Sequence, residues 1–167
     1  MKKTITLLIL SLVVLVAFGT ETEAQIPKEG ASSMTFYYSA TFKALPMGQE
    51  RVQMTYENMG IIVGDSSDIL LHNTSVRCLG ALHGVKGDFN NNGFCVGTRP
   101  DGDKVFWTYQ STGKVGAGGK GTSTIVGGTG KLTGIQGSSE YTDFPLRPAA
   151  EGTFQGYSRI KGQYKLP

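Results

Sequence analysis

The chain has 167 residues, a formal net charge of +3 and only 17% charged residues. That length suits one domain with a sizeable core, and a mild positive balance with no basic cluster excludes a nucleic-acid binder, which needs a concentrated basic face. With 24 glycines and seven tyrosines beside the low charge, the composition suits a β-protein with many turns.

Residues 1–24 read as a secretory signal peptide. Lys2 and Lys3 precede an apolar run from Ile5 to Phe18, and Thr22-Glu23-Ala24 offers small residues for cleavage before Gln25. The run is short for a transmembrane helix, which needs about 20 apolar residues; an uncleaved anchor is the competing reading. Removing Lys2, Lys3, Glu21 and Glu23 leaves the net charge unchanged. The expected location is periplasmic or secreted, with no membrane association after cleavage.

Residues 25–33, with Pro27 and Gly30, read as a flexible lead-in to a single domain over 34–167. Met34–Leu45 alternates, with Phe36, Tyr38, Ala40 and Phe42 sharing one face, which predicts a half-buried strand. Pro46 and Gly48 end it. Arg51–Glu57 is the second strand, Gly60 interrupts, and Ile61–Val63 is a short apolar run. Gly64–Asp68 is a loop, and Ile69–His72 begins another strand. Asn73-Thr74-Ser75 is a glycosylation sequon that matters only in a eukaryotic secretory pathway; the short Lys-Lys signal looks bacterial, so no glycan is expected.

Val76–Leu82 is the next strand, Gly84–Gly93 a polar loop, and Phe94–Gly97 the return. Arg99–Asp103 is a turn, and Lys104–Gln110 a strand with Val105, Trp107 and Tyr109 on one face. Gly113–Gly121 is a mobile loop or a Gly-rich strand edge. In the last segment Gly156, Ser158, Ile160, Gly162, Tyr164 and Leu166 share one face. The count is eight or nine strands with no convincing helix. The expected fold is all-β, a small closed antiparallel barrel of about eight strands; a two-sheet sandwich is the alternative. Glycines at 80, 134, 156 and 162 favour the barrel, whose tightly coiled sheet bends at such residues.

Few constellations could carry chemistry. Cys78 and Cys95 are the only cysteines, and an exported pair is read first as a disulfide, contributing about 3 kcal/mol for a loop of that size; two reduced buried cysteines are the alternative. Two sulfurs do not complete a zinc shell. Asp88–Gly93 matches the first half of a calcium loop, but Arg99 stands where the acidic twelfth ligand belongs, so a hairpin turn is the better reading and no metal is expected. His72 and His83 are the only histidines, and no serine sits in a nucleophile elbow. Glu57, Glu140 and Asp143 are isolated carboxylates, read as solvated strand residues or as a general acid or base. Tyr38, Tyr56, Trp107 and Tyr109 either line a barrel mouth as a ligand site or pack a core.

The stretch Ser123–Tyr141 holds the most specific pattern. Thr122, Thr124 and Val126 alternate with Ile125, then Gly127, Gly128 and Gly130 bracket a tight turn between two strands. A dinucleotide or Walker loop must open a helix. Thr133–Gly137 carries two glycines and Ile135, and Leu132 follows Gly130-Lys131, so neither phosphate loop nor cofactor is expected. IVGGTGKLTGIQG is instead similar to the V/I-G-G-T-G-K/R-F-x-x-A-x-G stretch of the dirigent and allene oxide cyclase barrels. Leu132 stands where an aromatic is usual, and Ile135 where a small residue is usual. The resemblance implies a small eight-stranded antiparallel barrel, exported or plastid-borne and often a homo-oligomer. It transfers no catalytic residues. Three functions are consistent with it: a non-enzymatic barrel binding a small apolar ligand or another protein, an allene oxide cyclase-like isomerase, or a dirigent-like protein acting in the barrel cavity.

Overall fold

The computed structural model describes residues 26–65 and 68–167. The predicted signal peptide and its cleavage point before Gln25 lie outside those residues. Eight strands run in chain order: β1 (Glu29–Pro46), β2 (Arg51–Gly64), β3 (Thr74–Val85), β4 (Asp88–Thr98), β5 (Lys104–Lys114), β6 (Gly118–Gly128), β7 (Gln136–Leu146) and β8 (Thr153–Lys165). Each pairs antiparallel with the next, and β8 pairs back onto β1, so the sheet closes into a barrel. Closure leaves no edge strand with unpaired backbone groups. The anticipated barrel forms, and the sandwich does not.

Several boundaries differ from the sequence reading. Glu29–Ser33 is paired strand rather than free lead-in. Asp68 explains this: its buried carboxylate accepts hydrogen bonds from Ser32 Oγ at 2.6 Å, Ser33 N at 2.9 Å and Leu70 N at 3.0 Å, tying the β2–β3 connection to the start of β1. Gly60 does not interrupt β2, because its missing side chain admits the Tyr37 carbonyl; a Cβ there would sit 1.9 Å from that oxygen. Ile69–His72 is not strand; Leu70 and Leu71 turn into the core instead. Gly84–Gly93 is not a loop. The turn is the two-residue Lys86-Gly87, both at positive φ, as a tight hairpin requires. Asp88–Gly93 is thus strand, in which Asp88, Asn90 and Asn92 share one face but are spaced about 7 Å apart along it instead of curling round one point as a calcium loop does. Gly113 and Gly118–Gly121 likewise belong to paired strands.

The two ends of the barrel are unlike. One carries the short β1–β2, β3–β4, β5–β6 and β7–β8 connections. The other carries both ends of the described chain and the β2–β3, β4–β5 and β6–β7 connections, and it is plugged. The glycine stretch is part of that plug. It is not a tight two-strand hairpin: β6 ends at Gly128, a single 3-10 turn spans Gly130–Leu132, and β7 begins at Gln136. Leu132 (0% exposed) and Ile135 (2%) join Leu70, Leu71, Met34, Ile62, Val76, Val105 and Leu166 in one cluster. Gly130 has φ +53, and its Cα–H side faces the Asp103 carboxylate, which accepts the Lys131 N–H at 2.8 Å. The motif therefore folds a plug over the barrel floor. It presents no helix N-terminus to a phosphate.

Cys78 and Cys95 are directly opposed on β3 and β4 with Cα atoms 4.1 Å apart, the spacing of a non-hydrogen-bonded cross-strand pair, and they form a disulfide.

Candidate functional site

Plugging one end concentrates the aliphatic core there and leaves the other half of the barrel lumen unfilled. A cavity of about 650 Å³ occupies it and reaches the short loops at the unplugged end. Tyr38 from β1, Tyr56 from β2 and Trp107 and Tyr109 from β5 all line it, as do Cys78 and Cys95. Period-2 alternation brings in β7 as well: Tyr141 and Asp143 face inward while Thr142 and Phe144 face out.

The lumen is wide enough for these rings because glycine sits opposite them. A Cβ on Gly80 or on Gly93 would lie 2.3 Å from the Tyr109 hydroxyl, one on Gly121 would lie 2.4 Å from the Tyr141 ring, and one on Gly156 would lie 2.6 Å from the Tyr38 hydroxyl. The intra-strand glycines at 80 and 156 thus make room for phenols. Gly162 is pressed against β7 backbone, and Gly134 lies outside the strands, in the β6–β7 connection at φ +78.

Two of the phenols are joined in one hydrogen-bonded chain. Tyr56 donates its proton to Asn91 Oδ1 at 2.6 Å, so Tyr109 must donate to the Tyr56 oxygen at 2.7 Å. Asn91 Nδ2 donates to Ser111 Oγ at 3.2 Å. Phe154 packs edge-on to Tyr38 and Tyr56, with centroids 6.3 and 5.7 Å away. Burial pushes the hydroxyls of Tyr38, Tyr56, Tyr109 and Tyr141 above the usual tyrosine range, and the negative charge of Asp143 pushes all four further up. They are neutral hydrogen-bonding groups at any physiological pH.

Asp143 is the carboxyl of the lumen. Burial raises it above the usual carboxylate range, and the hydrogen bond donated by Ser158 Oγ opposes that shift. Among the described residues, no lysine or arginine is ion-paired with it. A carboxyl so placed holds its proton to higher pH than an exposed one, and can give it up inside an apolar site. Glu57 instead pairs with Arg77 on the outer wall, and Glu140 is exposed. His83 bonds Gln53 across β2–β3 and His72 is exposed. Tyr141, Asn91 and Ser158 are not singled out by the sequence. The signal that could have found the first is the i, i+2 pairing of Tyr141 with Asp143 on one strand face.

No protein-family model matches the chain, and no curated protein matches it. Among solved structures it is similar to a pterocarpan synthase dirigent protein, with a TM-score of 0.52 and 11% sequence identity over 84% of this chain and 94% of that one. At this identity the likeness concerns the fold alone.

Proposed function

We propose that this protein is an exported, non-enzymatic binding module that takes a small, largely apolar ligand into the unplugged half of its barrel. The observation that carries this reading is the cavity of about 650 Å³, walled by aromatic rings around a few convergent polar groups, the usual make-up of a small-molecule site. A disulfide is consistent with export to an oxidising compartment, and no helix among the described residues is long and apolar enough to cross a membrane. The neutral fluorophore N-phenyl-1-naphthylamine tests the site. Saturable one-to-one binding that is lost in Met54→Arg, which puts a charge in the lumen, supports it. Retained binding in that variant, or equal loss in the outward-facing Met59→Arg, refutes it.

One observation favours a second reading as a dirigent-like protein or an allene oxide cyclase-like isomerase: the buried, raised Asp143 carboxyl among neutral phenols could protonate a reacting substrate. Incubation with a host extract separates the two. Compounds that return covalently changed by mass spectrometry support chemistry; compounds that return unchanged support binding alone. The homo-oligomer implied by the sequence resemblance would bury the exposed outer-wall neighbours Met59, Leu79 and Phe94, and sedimentation velocity of Phe94→Ser beside the parent checks it.

A further inference from the structure

The cavity walls carry an imbalance that points to a class of ligand. The hydroxyls of Tyr56 and Tyr109 are committed to each other and to Asn91, which in turn bonds Ser111. Asp143 is not committed in this way. Its one hydrogen bond comes from the neutral Ser158, and no cation of the described chain is paired with it. A carboxylate buried among phenols and without a counter-ion is costly, and a partner that arrives with the ligand relieves that cost.

The surroundings specify the partner's charge. Tyr38 and Tyr56 each meet Phe154 edge-on in the same lumen, and Phe42 packs tilted on Phe154 with centroids 6.0 Å apart. Aromatic faces attract cations and are indifferent or hostile to anions. The charged groups of the strands around Asp143 do not compete. Lys114, at the end of β5, is engaged by Asp88 at 2.8 Å. Arg147 lies beyond the end of β7 at the mouth. Arg159 of β8 sits outside the barrel, over the Phe144 and Tyr157 rings. The four phenols that face Asp143 carry no charge.

We infer, resting on the binding module proposed above, that the cavity selects an organic cation: a small aromatic or aliphatic amine whose ammonium group pairs with Asp143 while its apolar body lies against the Tyr38, Tyr56 and Phe154 rings. A proton on Asp143 competes with the ammonium group, so affinity for the amine rises with pH as Asp143 ionises, and affinity for an uncharged analogue does not.

Three probes with one ring system separate the cation preference from binding as such: 1-naphthylmethylamine, 1-naphthalenemethanol and 1-naphthoate, titrated calorimetrically at neutral pH. The expected order is amine, then alcohol, then acid, with the amine ahead of the alcohol by about tenfold or more, as a charge-assisted bond in an apolar site allows. In Asp143→Asn, which keeps the volume and removes the charge, the amine loses its lead over the alcohol. Within the unaltered protein, the amine's affinity should climb as pH rises above the ordinary carboxylate range, because the raised Asp143 carboxyl ionises later than a free one, which keeps the test valid if the variant folds poorly. An alcohol that binds as tightly as the amine overturns the cation inference and leaves the binding module standing. So does an amine preference that survives Asp143→Asn, or one that is flat with pH. Failure of all three probes to bind overturns both.

Discussion

Replacing Gly130 with alanine probes the plug that separates a filled barrel floor from an empty lumen. Two costs add. The residue sits at φ +53, where an L side chain is strained by about 1–2 kcal/mol. The new Cβ would also lie 1.8 Å from Asp103 Oδ1 and 2.5 Å from its Cγ, so the carboxylate must leave, and with it the hydrogen bond from the Lys131 amide. That bond contributes about 1–2 kcal/mol, discounted for exposure. The sum is about 2–4 kcal/mol, or a fall in melting temperature of roughly 5–15 °C for a domain of this size. Gly152→Ala is the control, because Gly152 has φ +73 and nothing within 4 Å of where the added methyl would stand, so it carries strain alone. Asp103→Ala completes a double-mutant cycle: in that background Gly130→Ala should cost only the strain. Guanidinium denaturation of the parent and these variants measures all terms. Equal losses for Gly130→Ala and Gly152→Ala, or a Gly130→Ala cost untouched by Asp103→Ala, would refute the carboxylate clash as the reason for this glycine. ATP and NAD titrations of the parent protein should show no binding.

Denatured, non-reduced protein should yield no titratable thiol, and replacing Cys78 and Cys95 together with alanine should cost about 3 kcal/mol in denaturant melts, the value for a loop of about 15 residues. Asp143→Asn should raise the melting temperature at neutral pH. The raised carboxyl of the folded state makes the ionised form destabilising, a penalty that is absent below the ordinary carboxylate range and grows as pH climbs through the raised value. The gain should therefore vanish in acid, and a gain that persists there would place its cause elsewhere. Alkaline titration followed by phenolate absorbance should show Tyr38, Tyr56, Tyr109 and Tyr141 ionising later than free tyrosine, two of them no longer delayed if Gly80→Ala displaces the Tyr56–Tyr109 pair.

The alternation of Phe36–Tyr38–Ala40–Phe42 and of Gly156–Ser158–Ile160 determined by itself that these segments are half-buried strands, because a period of two places alternate residues on one face whatever the partner strand. The short apolar and glycine-punctuated segments likewise determined an all-β chain, and the same period put Val105, Trp107 and Tyr109 on one strand face. What period two leaves open is which face looks inward when both carry aromatics. On β7, Tyr141 and Asp143 alternate with Thr142 and Phe144, and only closure of β8 onto β1 decided that the carboxylate enters the lumen. Polarity misled at Asp88–Gly93, because asparagines read as turn formers, whereas here Asn91 is consumed by Tyr56 and Ser111 inside a paired strand. The glycine stretch was legible as a turn, but its role as a plug was not. That role depends on Leu132 and Ile135 meeting Leu70 and Leu71 from a connection about 60 residues earlier, a contact made by the closed sheet and carried by no local pattern.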